Sequence, residues 1–446
     1  MTSLNRGPLK RFLDPQQVLK LNDAKVTNGL VRCAKTFRVI EHLCTTVTRV
    51  KYSWYGASTR PRSSNYLEAH VWQSCFRPPD LEIQLAGPDQ LQPKPNPDEL
   101  EFGKTFTDHM CKIEFENRVN GWKKPKILPL ENISLHPAAK VLHYAIELFE
   151  GMKAFRGVDD RIRLFRPDLN MIRMNLSAER SGLPNFDTHE MIKILARLVQ
   201  IEQEWVPHKK HGSLYIRPTL IGTDPVLGVV ASDAALMFTI CSPVKSYFSN
   251  DFRASSLLAD PQYTRAWPGG CGDRKMGCNY GPTVEIQRQA VSMGLQSVLW
   301  LYGEDNQITE AGTMNVFFVI KGEDGKKELV TPPLNGLILP GVFRRSVLDL
   351  ARQYKRTRVI ERQINMQELI DLVHQERCLE MFGVGTASFL MPISSVLFKG
   401  VSYQIPTVEP GDKEYLFYYQ TLSEIMYGEV EHPWGVCIDD YSKNET

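Results

Sequence analysis

The stretch GGCGDRKMGCNYG, residues 269–281, carries one lysine, Lys275, among five glycines, and Tyr280 follows five positions later. A lysine adds little to packing in so glycine-rich a turn, where the backbone is free to approach a flat ligand closely. Its amine is suited to covalent work on a carbonyl, and burial near cations lowers the pKa of a lysine enough for it to lose its proton. We therefore expect Lys275 to be a Schiff-base lysine, with Tyr280 donating a hydrogen bond near the same site.

A second stretch, TEAGTMN at 309–315, places a carboxylate, Glu310, on a predicted hairpin. A pyridinium nitrogen needs such a partner, because the pair keeps the ring protonated and able to accept electrons from a carbanion. Three glycine-marked turns in the second half of the chain can present backbone N–H groups to an anion. They are Gly341-Val342-Phe343 at the start of a predicted helix, the bend Gly383-Val384-Gly385-Thr386, and Gly277 with Gly281 around Asn279-Tyr280. Taken alone, each of these turns also has an ordinary structural explanation.

Hydrophobic periodicity predicts an α+β protein with mostly antiparallel strands, because strands and helices do not alternate as regular βαβ units. Strands are predicted at 109–116, 124–130, 161–165, 213–221 (interrupted by Pro218), 234–241, 297–301, 316–320 and 379–391, with a hairpin turn at Asn120-Gly121. Helices are predicted at 169–176, 189–205, 282–294 (with Ile286, Ala290 and Met293 on one face), 342–351 and 366–377. Residues 143–155 are expected to begin as a helix that ends at Gly151, and residues 337–339 are expected to end a strand.

The length of 446 residues is too great for one ordinary core, so two domains are expected. Residues 85–98 are rich in Pro, Gln and Asp, as linkers are, and the folded region is expected to start near Leu100. The predicted division is an N-terminal extension and linker at 1–99, a small α+β domain at 100–243, an interdomain loop at 244–254 and a large domain at 255–446. The active site is expected between the two domains.

Composition argues against several classes of function. The hydrophobic content of 42%, the charged content of 23% and the net charge of +2 are typical of a soluble globular protein and give no argument for nucleic-acid or membrane partners. The nine cysteines (33, 44, 75, 111, 241, 271, 278, 378 and 437) form no CxxC pair, which argues against a structural zinc site and for a reducing compartment. No apolar stretch approaches the roughly 20 residues that span a bilayer. His208 and His211 have a metal-like spacing without a third ligand nearby in sequence, so no metal site is predicted.

The first 64 residues differ from the rest, since they contain 12 Lys or Arg against three acidic residues. An Arg-rich, acid-poor N-terminus is typical of an organellar transit segment. A basic tail without a targeting role is the alternative, because Asp14 and Asp23 interrupt the leading segment. We expect the mitochondrial matrix, with the cytoplasm as the alternative location.

The ordered motifs of residues 102–430 resemble the branched-chain aminotransferases, which belong to the fold type IV family that uses pyridoxal phosphate. The matching stretches include FGKTFTDHM (102–110), LFEGMKAFRG (148–157), LFRPDLNMIRM (164–174), SLYIRP (213–218), LLADPQYTRAWPGG (257–270), NYGPTV (279–284), LWLYGEDNQITEAGTMN (299–315), TPPLNGLILPGV (331–342) and MFGVGTA (381–387). The resemblance implies a two-domain, homodimeric animal-type enzyme, of the mitochondrial form, with pyridoxal 5'-phosphate in the large domain. It would move the amino group of L-leucine, L-isoleucine or L-valine reversibly to 2-oxoglutarate by a ping-pong mechanism.

The resemblance also implies roles for individual residues. Lys275 is the covalent attachment point of the cofactor and moves the proton in catalysis, while Glu310 pairs with the pyridine nitrogen and Tyr280 contacts the phenolate oxygen. The phosphate is expected at Arg173, the amides of Val342 and Phe343, and Thr386, with Leu339 packed against the ring. Thr313 and the Ala387 amide are expected at the substrate α-carboxylate. The pocket for the substrate side chain is expected to comprise Phe102, Tyr144, Tyr215, Arg217 and Val229, with Val229 contributed by the partner subunit.

The expected pocket must accept both an apolar leucine side chain and the γ-carboxylate of glutamate. The aromatic residues suit the first, and Arg217 suits the second. Two related alternatives are a D-amino-acid aminotransferase and an aminodeoxychorismate lyase, and the FEGMKAF and LYIRP stretches argue against both. A catalytically inactive homologue kept as a binding or scaffold protein is a third alternative, opposed by the intact Lys275, Glu310, Tyr280 and Arg173.

One position departs from the family pattern. Vertebrate members carry a redox-sensitive CxxC just after the glycine-threonine bend, whereas this chain has Ser388 and Met391 there, so a thiol switch at that place is not expected. Cys271 and Cys278 flank Lys275 and are candidates for reactivity, although packing of small residues is the interpretation that the sequence favours.

Overall fold

The computed structural model describes residues 75–118, 121–208, 212–245 and 254–441. Four features predicted above therefore lie wholly or partly outside the described residues: the basic leading segment, the turn at Asn120, His211 and most of the loop at 244–254. The described chain contains two β-sheets with helices packed on them, each sheet having its own hydrophobic cluster. This α+β architecture with mostly antiparallel pairing confirms the predicted fold class.

The first sheet is built mainly from the N-terminal half of the described chain. Its strands are β1 (Glu82–Ile83), β2 (His109–Glu116), β3 (Gly121–Trp122), β4 (Lys126–Pro129), β5 (Glu147–Phe149), β6 (Met152–Arg156), β7 (Ile162–Phe165), β8 (Gly212–Gly222), β9 (Ala234–Lys245) and β19 (Gly435–Cys437). Their order is β1-β4-β2-β9-β8-β6-β7-β19, with β3 paired to β2 and β5 paired to β8. The chain therefore returns to this sheet near its C-terminal end.

The second sheet contains the remaining strands of the described residues. They are β10 (Ser255–Ala259), β11 (Ser297–Tyr302), β12 (Gln307–Ala311), β13 (Met314–Lys321), β14 (Lys327–Thr331), β15 (Arg358–Glu361), β16 (Cys378–Val384), β17 (Leu390–Phe398) and β18 (Val401–Gln404). Their order is β12-β11-β10-β17-β16-β13-β14-β15, with β18 paired to β17. Three of these pairings, β10–β11, β10–β17 and β14–β15, are parallel.

The α-helices of the described chain are α1 (Lys140–Tyr144), α2 (Pro167–Ser181), α3 (Thr188–Ile201), α4 (Val284–Ser292), α5 (Val342–Tyr354), α6 (Met366–His374) and α7 (Glu414–Met426). Local sequence explains several of their ends. Pro167 occupies the first turn of α2, and Gly182 ends that helix with a φ of 66°. Asp187 caps α3 by accepting hydrogen bonds from the amides of His189 and Glu190.

Several local predictions need correction. The helix expected from residue 143 is the short α1, which ends at Tyr144, and strand β5 follows before Gly151. The strand predicted at 379–391 is two antiparallel strands, β16 and β17, joined by a turn at 385–389. Residues 337–339 are not in a strand. The helix expected to run to Gly294 ends at Ser292, so Ile286 and Ala290 are buried on one face while Met293 lies beyond the helix and is 52% exposed.

The folded region begins upstream of Leu100. Phe76 is only 2% exposed and packs edge-to-face on Trp122 with a centroid distance of 5.3 Å. Phe76 therefore belongs to the hydrophobic cluster that packs on the first sheet. The expectation that folding starts near Leu100 is therefore wrong, because composition alone did not reveal the buried ring that precedes the proline-rich segment.

Pro218 lies inside strand β8 and does not end it. Its carbonyl oxygen accepts a hydrogen bond from the amide of Glu150, between strands β5 and β6. The N–H and C=O of one residue point to the same side of an antiparallel strand. The side of Pro218 that lacks an N–H therefore faces Glu150, at the junction of β5 and β6, and not strand β9. The proline therefore removes no hydrogen bond from the ladder with β9.

Candidate functional site

A cavity of about 330 Å³ lies between elements of the two sheets. This volume is within the range of small-molecule sites. The predicted site residues that line it are Phe102, Arg173, Tyr215, Arg217, Lys275, Tyr280, Glu310, Thr313, Leu339, Val342, Phe343, Thr386 and Ala387. Tyr144 and Val229 are the two predicted residues that are not part of this lining.

Lys275 is held by its backbone from two directions. Its amide donates to Ser177 Oγ at 2.9 Å, and its carbonyl oxygen accepts from the amide of Phe149 at 3.1 Å. An isolated antiparallel bridge between Leu148 and Met276 extends the contact to strand β5. The amine Nζ donates to Tyr280 OH at 3.1 Å and lies 4.8 Å from the centroid of the Phe149 ring. The backbone is therefore fixed while the amine points into the cavity.

Glu310 is a buried carboxylate on strand β12, with 4% of its surface exposed. Arg265 contacts its Oε2 at 2.5 Å, and Oε1 accepts hydrogen bonds from Asn315 Nδ2 at 3.0 Å and the Leu339 amide at 3.1 Å. Burial raises the pKa of Glu310, although Arg265 and the Leu339 amide act in the opposite direction. The carboxylate is thus fixed at the cavity wall in an environment that favours a hydrogen-bonding cation beside it.

The hairpin that carries Glu310 depends on a glycine. Strands β12 and β13 pair Ala311 with Met314, which leaves Gly312 and Thr313 as a two-residue turn. Gly312 has a φ of 58°, and a Cβ there would overlap Ser297 Oγ. Glycine supplies this conformation without strain, as the first position of a tight hairpin turn requires. The turn brings Thr313 to the cavity.

Arg173 is a buried cation on helix α2, with 3% of its surface exposed. Its Nε and Nη2 donate to the two oxygens of Glu150 at 2.7 and 2.8 Å, and its Nη1 donates to Pro340 O at 3.0 Å. Burial disfavours the charged guanidinium, but Glu150 outweighs that cost and the pKa of Arg173 is raised. A guanidinium carries five N–H donors, so two remain for a ligand.

Helix α5 points its N-terminus at the same part of the cavity. Gly341 is its N-cap, without a side-chain cap, and Val342 and Phe343 begin the helix. The first amides of a helix have no acceptors within it, and the helix dipole favours an anion there. Thr386, in the turn between β16 and β17, lines the same cavity. Arg173, the helix N-terminus and Thr386 together form a region suited to a phosphate.

Arg217 and three aromatic rings form the other part of the cavity. The guanidinium lies 4.8 Å from the Phe149 ring and 5.1 Å from the Tyr215 ring, and Nη2 donates to Tyr215 OH at 3.1 Å. Its buried Nε has no hydrogen-bond partner among the described residues. Phe102 packs edge-to-face on Tyr215 at 4.9 Å, and Gly151 makes room for the Tyr215 hydroxyl, since a Cβ there would overlap that oxygen. A guanidinium that has no carboxylate partner among the described residues, and that lies among rings, can bind a substrate carboxylate beside an apolar wall.

Tyr144 and Val229 lie outside the cavity lining. The hydroxyl of Tyr144 donates to the carbonyl oxygen of Leu227, in the same loop as Val229. Val229 is 76% exposed, and Leu227 and Val230 are also exposed. The chain described here therefore does not bring this loop to its own cavity.

Sequence reasoning missed two residues of the cavity region. Phe149 lies over both the Lys275 amine and the Arg217 guanidinium. Lys153, on strand β6, is 7% exposed and its Nζ donates to the carbonyl oxygen of Ala387 at 2.8 Å. Burial lowers the pKa of Lys153 to about 7. Both residues lie in the quoted LFEGMKAFRG stretch, but nothing in their spacing distinguished them from ordinary strand residues.

A second depression and possible metal ligands were considered as alternative functional sites. A more open depression of about 540 Å³ lies beside β14 and β15, but its charged residues pair with one another, as Arg358 does with Asp324 at 3.5 Å and Arg362 with Glu368 at 2.5 Å. Among the described residues, no group of three or more metal-ligating side chains is present. In the same part of the chain, every helix is too short or too polar to cross a bilayer.

The side chains around the cavity fit pyridoxal phosphate. The amine of Lys275 is available for covalent attachment, Glu310 is suited to the ring nitrogen, and Arg173 with the start of α5 is suited to the phosphate. The hydroxyl of Tyr280 accepts a hydrogen bond from the amine of Lys275, so both polar groups lie at the same point of the cavity wall.

Comparison with known proteins gives a consistent result. The family model for amino-transferase class IV matches residues 147–396. The chain is 54% identical over 362 residues, 81% of its length and 93% of the relative's, to a cytosolic branched-chain-amino-acid aminotransferase of Mus musculus. It is 49% identical over 362 residues, 81% of its length and 92% of the relative's, to the mitochondrial form of Bos taurus.

Solved structures share the fold. A branched-chain aminotransferase of Thermoproteus uzoniensis, solved with norvaline, matches 70% of this chain and 96% of its own with a TM-score of 0.58 and 22% identity. The branched-chain amino acid aminotransferase of Thermobaculum terrenum, solved in its PLP form, matches 74% of this chain and 98% of its own with a TM-score of 0.59 and 21% identity. At these identities the match establishes the fold alone.

Proposed function

This chain belongs to the amino-transferase class IV family, among its branched-chain-amino-acid aminotransferases, and we propose that it transfers the amino group of L-leucine, L-isoleucine and L-valine to 2-oxoglutarate. The reaction is reversible and gives branched-chain 2-oxo acids and L-glutamate in two half-reactions of a ping-pong mechanism. The observation that carries the proposal is the cavity that joins the Lys275 amine, the buried Glu310 carboxylate and the N-terminus of α5.

Pyridoxal phosphate, when bound, supplies the electron sink that stabilises a carbanion at Cα of the amino acid. Lys275 would hold it covalently and, once its amine is released, would remove and return the proton at Cα as general base and acid. Tyr280 orients the amine through the 3.1 Å hydrogen bond. Phe149 covers the amine on one side, with its ring centroid 4.8 Å from Nζ.

The two ends of the cofactor are held by opposite charges. Arg265, Asn315 and the Leu339 amide fix the Glu310 carboxylate in place, where it would pair with the ring nitrogen and keep that nitrogen protonated. Arg173, the amides of Val342 and Phe343, and Thr386 line the cavity where they would hold the phosphate, and Leu339 would pack on the ring. Thr313 and the Ala387 amide bind the substrate α-carboxylate.

Substrate choice follows from the other wall of the cavity. Phe102 and Tyr215 provide the apolar surface for a branched aliphatic side chain. Arg217 lies on the same wall with a free Nε and receives the γ-carboxylate of glutamate in the second half-reaction. One pocket thereby accepts two chemically different side chains.

We assign Tyr144 and Val229 to the pocket of a partner subunit in a homodimer. The exposed apolar side chains of Leu142, Val226, Leu227, Val229 and Val230 support an interface at this place. Sedimentation of wild type and Val229→Asp tests the dimer: a monomeric wild type would contradict it.

We also propose that the chain divides into a small domain at 100–243 and a large domain at 255–446. Most strands of the two sheets support this division.

For the location we propose the mitochondrial matrix, with the cytoplasm as the alternative, because relatives of both kinds are similar to this chain. The support is the basic composition of the leading segment. Localising full-length and Leu100-truncated fusions in cells tests this point, and an identical cytosolic distribution of the two would contradict it. Because the fold begins before Leu100, a second truncation that keeps Phe76 separates loss of targeting from loss of folding.

Steady-state assays test the activity. We expect transamination of L-leucine, L-isoleucine and L-valine with 2-oxoglutarate and none of D-alanine. Activity with D-alanine but not with L-leucine would contradict the proposed function. A colourless protein without a borohydride-trappable adduct would instead support a binding protein that has lost the chemistry.

A further inference from the structure

The loop that carries Lys275 also brings two thiols together. Cys271 and Cys278 precede and follow the lysine, and their sulfur atoms lie 3.6 Å apart. Cys278 is exposed and Cys271 is half-buried. A disulfide has an S–S distance of about 2.05 Å, so the two sulfurs need to approach by about 1.5 Å. The proposed transamination uses neither thiol.

The electronic setting of the two sulfurs is asymmetric. The hydrogen bond between the two sulfurs lowers the pKa of Cys271 to about 6, and the positive charges of Arg180 and Arg265 add to that effect. The same hydrogen bond raises the pKa of Cys278. Cys271, whose Sγ also lies 3.1 Å from Asn279 Oδ1, is therefore the thiol that loses its proton more readily, and Cys278 is the neighbour that keeps its proton.

The loop is fastened to the parts of the site that flank it. Asn279 is buried and its Nδ2 donates to the carbonyl oxygens of Cys271 and Arg274, both at 2.8 Å. Arg265 donates from Nη2 to Gly272 O at 3.1 Å and also contacts Glu310. The backbone just before Lys275 is therefore tied to Asn279, which follows the lysine, and through Arg265 to Glu310.

We propose that Cys271 and Cys278 form a reversible disulfide that closes the loop around Lys275 and lowers the activity of the site. The effect on activity rests on the proposed function, whereas the bond itself does not. The oxidant is a hydroperoxide, and reduction is by a dithiol.

The chemistry balances in two steps. The Cys271 thiolate attacks one peroxide oxygen, the O–O bond breaks, and hydroxide leaves and takes up a proton to become water. The sulfur of Cys278 then displaces hydroxide from the resulting sulfenic acid, the S–S bond forms, and the proton of Cys278 converts that hydroxide to a second water. Two thiols lose two electrons, and hydrogen peroxide becomes two water molecules.

Peptide mapping of the holoenzyme tests the bond directly. Trypsin cleaves after Arg265, Arg274, Lys275 and Arg288, so Cys271 and Cys278 fall on separate peptides, 266–274 and 276–288. After treatment with a small molar excess of hydrogen peroxide, we expect these two peptides to be linked, and dithiothreitol to release them. Unlinked peptides with both thiols still free would overturn the proposal, as would linkage of either cysteine chiefly to another position.

The activity is measured on the same samples. We expect kcat to fall by about fivefold or more on oxidation and to return with dithiothreitol, and both Cys271→Ser and Cys278→Ser to keep their activity in peroxide. Cys75→Ser is the matched control, because Cys75 is also half-buried but burial raises its pKa, and this variant should stay as sensitive as the wild type. Linked peptides with unchanged kcat would overturn the regulatory part. An inactive reduced protein that still forms the link would instead count against the proposed function.

Discussion

Two buried arginine–glutamate pairs flank the cavity and face it with opposite charges. In the pair of Arg173 and Glu150, the arginine lines the cavity and the glutamate lies behind it, fully buried. In the pair of Arg265 and Glu310, the glutamate lines the cavity and the arginine lies behind it. The same two residue types thus prepare one end of the cavity for an anion and the other for a cation.

The comparison shows how a buried charge is made available to a ligand. An isolated buried charge costs several kcal/mol, and a partner behind it offsets much of that cost. Which member faces the cavity decides the charge that the ligand meets. Glu150 is satisfied by Arg173, Asn170 and the Gly151 amide, so it serves the arginine, whereas Arg265 and Asn315 serve the glutamate.

Neutralising the hidden member of the first pair should damage stability most. In Glu150→Gln, Arg173 keeps its buried charge without a carboxylate, and the free energy of unfolding should fall by about 3–5 kcal/mol. Urea denaturation measures this loss. Glu179→Gln, exposed on helix α2, which also carries Arg173, is the control and should change stability by less than about 0.5 kcal/mol. Equal stability of the two variants would show that the ion pair between Glu150 and Arg173 does not contribute to the free energy of unfolding.

Lys153 differs from the two arginines, because it is a buried amine that donates to a carbonyl oxygen rather than to a carboxylate. Burial lowers its pKa to about 7, so between pH 7 and 10 the unfolded chain binds more protons than the folded one and stability rises with pH. Over that range the wild type should gain on the order of 3 kcal/mol relative to Lys153→Met. Denaturation of both proteins across the range measures the difference. Parallel pH profiles would contradict the shift.

Neutralising Glu310, the member of the second pair that faces the cavity, should lower the catalytic rate rather than the stability. Glu310→Gln keeps the shape but removes the charge opposite the ring nitrogen, and kcat should fall by at least ~100-fold, as when one stabilising group is removed from a transition state. Glu304→Gln, exposed in the turn before strand β12, serves as the control. A kcat for Glu310→Gln within threefold of wild type would refute the assigned role.

Substitution of Arg217 should have the smallest effect on activity, and that effect should be confined to one of the two substrates. Its Nε is free and its guanidinium stands over aromatic rings, so Arg217→Met should raise KM for 2-oxoglutarate by about tenfold, the loss of one charged hydrogen bond. KM for L-leucine should stay within threefold. Tyr215→Phe, which removes only the hydrogen bond to Nη2, should have a weaker effect on 2-oxoglutarate. An equal rise in both KM values would contradict a dedicated carboxylate site.

Much of the fold could be predicted from local sequence, and the failures have identifiable causes. Strand β2 was predicted with its observed bounds because its pattern alternates cleanly. The segment after Tyr144 was predicted as helix, since an apolar run of that length does not distinguish a helix from two short strands paired to others. Phe76 escaped notice because its burial depends on Trp122, 46 positions later in the chain.

The site shows the same limit. Lys275 and Glu310 stood out because their residue types suit chemistry better than packing. Arg265 and Glu150 did not, because a pairing partner is defined only by the distances that folding creates. Lys153 is the clearest example, since its shifted pKa comes from burial and cannot be read from neighbouring residues.

The most direct test of the central claim is to identify the lysine that holds the cofactor. The protein is loaded with pyridoxal phosphate, reduced with borohydride and digested with trypsin. Our account predicts an adduct on Lys275 alone, which blocks cleavage there and leaves it on a peptide of residues 275–288, and no adduct in Lys275→Ala. An adduct on Lys153, the other buried amine beside the cavity, or no adduct at all, would contradict it.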